Sequence, residues 1–269
     1  MRSVSDLMDL SGRGAIVTGG AGGLGFAAAQ ALAELGATVA LLDSDAAAGA
    51  QRADDLNRLR GGSAIPIVCD LADEAATREA CALAIGKLGG LHVLVHSAAF
   101  VGTTRLAGWS VPFEQQSVAA WDAGLRVNLT AAFVLAQACR GALAASGRGS
   151  IIFVSSIYGL VGSDPAVYEG TGMNPDRVVA YSASKGGLTQ MMRHLATIFA
   201  PQIRVNTISP GGIARSQPGL FQERYAARTP LKRMGAEEDL KGAFAYLASD
   251  LSAYVTGHDL LVDGGFTAW

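Results

Sequence analysis

The sequence predicts an α/β protein, a single-domain doubly wound parallel sheet of the Rossmann type. Three observations carry that expectation. Short, continuous apolar runs rich in Val, Ile and Leu alternate with longer Ala/Leu-rich runs along the whole chain. A glycine-rich turn, TGGAGGLG at 18–25, joins the first apolar run to the first helical one, and an acid, Asp43, closes the second apolar run. Strands that are apolar throughout, rather than at every other position, belong to a sheet covered on both faces. Right-handed crossovers through the intervening helices then wind the chain both ways from the centre.

The elements follow in order. GAIVTG (14–19) reads as a strand, 24–35 as a helix, ATVALLD (37–43) as a strand and 46–60 as a helix. AIPIVCD (64–70) is the third strand, 73–88 a helix, and LHVLVHSAA (91–99) the fourth strand. A long helix covers roughly 117–145, and SIIFVSS (150–156) is again a strand. Beyond a loop come a helix over about 181–200, the strand QIRVNTIS (202–209), a short mobile helix near 216–228, a helix near 236–249 and a last strand, HDLLVD (258–263). No linker and no internal repeat interrupts the series, so residues 1–269 form one domain. The Asn128-Leu129-Thr130 triplet matches a glycosylation sequon by chance, because it falls inside a helix.

Composition excludes several classes. Half of the 269 residues are hydrophobic and 16% are charged, as in a compact enzyme. The formal charge is −2 and no run of Lys or Arg occurs, so neither nucleic acid nor an anionic membrane is an expected partner. Cys69, Cys81 and Cys139 form no CxxC and have no His at ligand spacing. They read as buried thiols in a reducing compartment, and no metal is expected. The amino terminus lacks the apolar core of a signal peptide, and no uninterrupted apolar run reaches the roughly 18 residues of a membrane span. A soluble cytoplasmic protein is the expectation.

In the glycine turn, Gly19, Gly23 and Gly25 are the spaced glycines, with Leu24 between the last two. Such a turn lets backbone approach a pyrophosphate closely, and the helix that follows offers free N–H groups and a partial positive charge. Asp43 stands where a carboxylate accepts hydrogen bonds from an adenosine ribose, with no Lys or Arg beside it to tolerate a 2′-phosphate. NAD is therefore expected over NADP. The alternative role for Asp43, capping the next helix, suits Asp45 better.

In YSASK, Tyr181 and Lys185 are spaced i, i+4, so on a helix the phenol and the amine share one face. A Tyr ordinarily ionises near pH 10, and a neighbouring cation favours its phenolate. At this point the chain resembles the short-chain dehydrogenase/reductase family over nearly its whole length. The resemblance rests on TGGAGGLG, CDL at 69–71, VNLTAAF at 127–133, the strand ending VSS at 154–156, YSASK, RVNTISPGGI at 204–213 and VDGG at 262–265. It implies a catalytic set of Asn128, Ser156, Tyr181 and Lys185. Tyr181 would be the proton donor or acceptor. Ser156 would bond the substrate oxygen, Lys185 the nicotinamide ribose, and Asn128 a water that relays protons from Lys185. Alternation along a strand lets only one of Ser155 and Ser156 face the cofactor, and the family pattern selects Ser156. The resemblance also implies cofactor contacts from Asp70 and Leu71 at the adenine, and from Ala98, Pro210, Gly211 and Ile213.

Two positions depart from the family pattern. His96-Ser97-Ala98-Ala99 replaces the usual Asn-Asn-Ala-Gly, where a buried His reads as a structural donor rather than a catalyst. Arg215 stands where a Thr often bonds the nicotinamide amide, a role that Arg215 or Ser216 would take over. Between Ser156 and Tyr181 the chain is about a dozen residues longer than is common in the family, and 157–180 reads as a substrate loop or a subunit contact. Its Tyr158, Asp164, Tyr168, Glu169, Thr171 and Asn174 suit a polar, sugar-like substrate better than a steroid or acyl chain. GWSVPFEQQ, SSIYG and YEGTGMNP are similar to segments of a bacterial subgroup linked to sugar and flagellin-glycan biosynthesis. The expected activity is NAD(H)-dependent interconversion of a secondary alcohol and a ketone. Its rivals are a 3-oxoacyl thioester reductase and a dinucleotide-sensing module without turnover. The long helices near 117–145 and 181–200 carry apolar residues on more than one face, and the resemblance implies that they pair across subunits into a homodimer or homotetramer, with the terminal Trp269 anchoring a neighbour or lining a site.

Overall fold

The computed structural model describes residues 1–102, 104–174 and 178–269. Among the described residues, seven strands form one parallel sheet in the order β3-β2-β1-β4-β5-β6-β7. In chain order the elements are α1 (Val4–Met8), β1 (Gly14–Thr18), α2 (Gly23–Glu34), β2 (Thr38–Asp43), α3 (Ala46–Leu59), β3 (Ala64–Val68) and α4 (Glu74–Leu88). Then come β4 (Val93–His96), α5 (Val118–Leu125), α6 (Ala131–Ala145), β5 (Gly149–Val154), α7 (Val179–Phe199) and β6 (Ile203–Pro210). The chain finishes with α8 (Gly219–Arg228), α9 (Lys241–Ala248) and β7 (Asp259–Val262).

This is the predicted doubly wound α/β fold, with boundaries shifted by one or two residues at most ends. Asp45 does cap α3, its Oδ1 accepting the Ala48 N–H at 3.0 Å. Two features are new. A short helix, α1, is set by a reciprocal cap between Ser3 and Asp6. The expected single helix over 117–145 is broken by a π turn, Arg126–Thr130, closed by a hydrogen bond from the Ala131 N–H to the Arg126 carbonyl. By length and composition Val118–Ala145 is apolar enough to cross a membrane, but half of the apolar stretch is buried inside the protein. Its buried half belongs to the core.

Two apolar layers sandwich the sheet. On one face α4, α6 and α7 pack through residues such as Cys81, Leu135, Leu143, Leu188 and Met192 against Ile16, Leu94 and Phe153. On the other, α2 and α9 pack through Ala28, Leu32, Phe244 and Leu247 against Val17, Val39 and Val95. Both faces are covered, which is why the strands are apolar at every position. All three cysteines are buried and unpaired. The helix near 216–228 is anchored by buried Phe221 and Tyr225, in a third cluster with Tyr168, Ile157 and Phe266.

Candidate active site

The strand order reverses between β1 and β4, and that crevice at the carboxyl ends of the strands is where doubly wound sheets bind ligands. The glycine turn opens onto it. Gly19 has φ +66°, and a Cβ there would lie 2.8 Å from the backbone of Ala98 at the end of β4. Glycine is required on both counts. Gly25 presses on the Gly19 carbonyl, closing the turn. Gly22 precedes α2 without giving it a side-chain cap, and Leu24 packs into the core beside it. Asp43 is half-buried at the end of β2. Its Oδ2 accepts the Ala21 N–H at 2.9 Å, and its Oδ1 the Asp45 N–H at 3.1 Å. The carboxylate thus braces the turn and stands at its mouth. Asp70 is exposed after β3, with Oδ1 accepting the Ala72 N–H, while Leu71 is buried. Pro210 ends β6, the Gly211 N–H bonds the Val262 carbonyl, and Ile213 bridges to Gly235.

Thr18 and His96 replace the bracing that the altered family segment had left open. The Thr18 hydroxyl oxygen accepts the Ser97 and Ala98 N–H groups at 3.2 and 3.3 Å. Its own proton is therefore free for His96 Nδ1, 2.9 Å away. That tautomer puts the ring proton on Nε2, which is buried and has no hydrogen-bond partner among the described residues. The carbonyls of Asn128 and Val127 face it without reaching hydrogen-bond geometry. Burial, with the nearby Lys185 charge, pulls His96 down to about 3. It is a neutral bracing residue that accepts from Thr18, where the sequence suggested a structural donor.

Asn128 sits in the π turn. Its Oδ1 accepts the Phe100 N–H at 2.7 Å, and its Nδ2 donates to the Phe100 carbonyl and to Ser184 Oγ, both at 3.1 Å. These bonds tie the widened turn to the loop after β4. Ser155 points into α7, bonding the Lys185 carbonyl at 3.0 Å and Thr189 at 2.9 Å. Ser156, after β5, accepts the Tyr158 N–H at 3.2 Å. The two serines do diverge as alternation requires.

Tyr181 and Lys185 lie one turn apart on α7, with Nζ 5.6 Å from the centre of the phenol ring. Tyr181 is half-buried and Lys185 is 2% exposed. Nζ donates to the Val154 carbonyl at 2.7 Å, and burial lowers the amine to about 7. Tyr225, on α8, is pushed by burial up to about 12 and accepts the Gly212 N–H. It stays a phenol at ordinary pH.

In the loop 157–180, residues 175–177 lie outside the described residues. Several of its polar groups are engaged in holding its own shape. Asp164 caps Ala166 and pairs with Arg228 at 3.2 Å, Thr171 Oγ1 donates to the Tyr168 carbonyl, and Asn174 reaches the Val111 carbonyl at 2.7 Å. Tyr158 and Tyr168 share a hydroxyl–hydroxyl bond. Trp269 bonds the Arg228 carbonyl through Nε1 at 3.0 Å. Sequence reasoning missed the roles of Thr18 and Phe100 and the pairing of Arg215 with Glu237. The hydroxyl beside the glycine turn was a usable signal for Thr18; nothing in the sequence marks Glu237.

A family model described as Enoyl-(Acyl carrier protein) reductase matches residues 19–267. A sorbose reductase of Schizosaccharomyces pombe is 31% identical, covering 98% of this chain and 99% of its own. A solved short-chain type dehydrogenase/reductase from Mycobacterium marinum superposes with TM-score 0.86 at 33% identity, each chain covered in full. A gluconate 5-dehydrogenase from Burkholderia cenocepacia, solved with NADP and tartrate, has TM-score 0.86 at 28% identity over 99% of this chain and all of its own. The chain belongs to the short-chain dehydrogenase/reductase family, as an oxidoreductase that uses a nicotinamide dinucleotide. Similar proteins act on sugars, polyols and cyclic diols, consistent with a secondary alcohol or ketone on a polar small molecule.

Proposed function

We propose that this protein is an NAD(H)-dependent dehydrogenase that interconverts a secondary alcohol and a ketone on a polyhydroxylated, sugar-like substrate. The observation that carries the proposal is the Tyr181–Lys185 pair on α7, with its amine buried against the Val154 carbonyl at the end of β5 and lowered to about 7. A bound nicotinamide would supply the hydride acceptor or donor, held by the glycine turn, Asp43 and Lys185. The chain's own work is proton transfer and positioning. Tyr181 takes the alcohol proton during oxidation or returns it during reduction. Lys185 shares that proton, so the pair titrates as a unit rather than as two separate groups. Ser156 holds the substrate oxygen, and Asn128 keeps the π turn open beside Lys185, where a water could pass the proton onward. Deprotonating a phenol about 3 units below its ordinary value needs roughly 4 kcal/mol of differential stabilisation, which a buried neighbouring cation can provide.

NAD is favoured over NADP because Asp43 presents a carboxylate at the turn, with no base in the turn beside it. The NADP-bound gluconate dehydrogenase shows that the fold also serves the other cofactor, so the preference rests on Asp43 alone. The names of the relatives and the polar side chains of 157–180 support a sugar-like substrate, and that is the part of the flagellin-glycan resemblance carried forward. Exposed Phe113, Val118, Trp121 and Phe133 on and beside α5 and α6 support self-association into a dimer or tetramer. The test is a screen of sugars, polyols and 3-oxoacyl thioesters with NAD(H) and NADP(H), following NADH absorbance. Turnover of a polyol with NAD supports the reading; turnover confined to acyl thioesters with NADPH replaces it.

A further inference from the structure

The start of α2 is covered. Gly23 is its first residue, and a Cβ placed there would lie 2.6 Å from Glu237 Oε1 and 2.9 Å from Arg215 Nη2. Arg215 Nε donates to Glu237 Oε1 at 2.9 Å. An ion pair therefore rests on the glycine turn, with its carboxylate at the helix end that favours anions and that lacks a side-chain cap. The backbones that deliver the two side chains are held firmly. The Arg215 N–H donates to Gln217 Oε1 at 2.6 Å, and Gln217 Nε2 donates back to the Ile213 carbonyl at 2.8 Å. Ala214 pairs with Gly235, and the Ala236 N–H donates to Asp239, itself gripped twice by Arg233. The side chains themselves are long and partly exposed, 47% for Arg215 and 35% for Glu237. They can move while their anchors do not.

We propose that Arg215 and Glu237 form an exchangeable clasp over the glycine turn. In the free protein Glu237 occupies the anion position at α2, with Arg215 as its counter-ion. A dinucleotide's pyrophosphate takes over both partners, because a guanidinium bonds phosphate oxygens as well as it bonds a carboxylate. Glu237 then withdraws to solvent. Arg215 is thus a ligand for the pyrophosphate, and Glu237 is a competitor that holds cofactor affinity down and release rate up. The fraction of protein with the clasp open scales the apparent affinity. This inference rests on the dinucleotide reading proposed above.

The two residues should consequently act with opposite signs. Calorimetric titration of the free protein with ADP-ribose and with adenosine reads this without any turnover. Glu237→Gln should bind ADP-ribose several-fold more tightly, about threefold to tenfold, by removing the competing charge. Arg215→Met should bind it about tenfold more weakly, as expected for a lost charge-assisted phosphate contact. Adenosine affinity should change in neither variant, and thermal melting checks that both are folded. Should Arg215→Met melt early, Arg215→Lys, which keeps the charge but loses the fork, should fall between it and the wild type. If both Glu237→Gln and Arg215→Met weaken ADP-ribose binding, the pair is only a structural staple and the clasp is wrong, while the dinucleotide reading stands. If the wild type binds neither ADP-ribose nor NAD, both readings fall together.

Discussion

The two ends of the sheet treat buried charge in opposite ways. At the amino ends of the strands, Asp250 receives Arg2 at 2.6 Å, Arg13 at 2.8 Å and Arg148 at 3.5 Å. Arg204, entering β6, donates to the carbonyls of Leu247, Ser249 and Val255 and to Ser252 Oγ. Burial lowers Arg204 only to about 10, so it remains charged and bonded. At the carboxyl ends, Lys185 is buried with no carboxylate paired to it among the described residues and drops to about 7, while His96 keeps a ring nitrogen without a partner among them. Burial without a counter-charge costs stability, and it also makes a proton movable. One end stabilises the fold; the other holds Lys185, whose ionisation can change near neutral pH, beside a His96 that stays neutral.

The comparison can be broken most severely at Tyr181. Tyr181→Phe keeps the ring and loses the hydroxyl, so turnover should fall by about two to four orders of magnitude while NAD binding and melting temperature hold. Near-normal turnover in purified Tyr181→Phe would leave YSASK as a helix face only. A matched pair of substitutions sharpens the contrast next. Arg204→Met leaves several carbonyls unpaired and should cost about 2–4 kcal/mol, lowering the melting temperature with little change in turnover per folded molecule. Lys185→Met should do the reverse, abolishing most turnover while the melting temperature stays level or rises. The sign follows from the lowered amine. Between about pH 7 and 10.5 the unfolded chain keeps a Lys185 proton that the folded chain has released, so burying Lys185 subtracts stability at neutral pH. Denaturation curves showing both methionine variants equally destabilised would erase the distinction between the ends. The smallest of these effects concerns Asp43. Wild-type protein should bind NAD at least about tenfold more tightly than NADP, roughly 1.4 kcal/mol, and Asp43→Ala should narrow that gap in a fluorescence titration.

Much of this was legible in the sequence, for reasons that differ by element. The sheet was readable because strands covered on both faces are apolar at each position, as in Val93-Leu94-Val95. The glycine turn was readable because φ +66° at Gly19, with Ala98 against it, leaves no other residue type. Asp45 announced its cap. The π turn was not readable, since Leu125 and Leu129 keep the ordinary i, i+4 helical spacing and only the bonds between Asn128 and Phe100, distant in sequence, mark it. The Arg215–Glu237 pair was equally hidden, since 22 residues separate its members and both are common surface types. The loop 157–180 was expected to turn polar groups toward a substrate, yet Asp164, Thr171 and Asn174 bond the protein itself. Which groups a loop keeps for its own turns depends on where its backbone folds back, and composition does not specify that.

The two ends also titrate in different windows. Burial pushes Asp250 up, but the Arg2 and Arg13 hydrogen bonds more than offset it and leave the carboxyl below its ordinary value. Its contribution to stability is present above about pH 4 and is lost as pH falls through the lowered value. Burial lowers Lys185 to about 7, and in the proposed mechanism Tyr181 shares that proton. Near pH 5, then, the fold should be intact while oxidation is slow. The most direct measurement is the pH profile of NADH formation at saturating substrate, from pH 5 to 10, with circular dichroism confirming the fold at each point. The wild-type rate should rise through an apparent pKa near 7. In Lys185→Met, the residual activity should rise only toward the ordinary phenol range near 10. An unshifted limb near 7 in Lys185→Met would contradict the assignment of the proton to this pair.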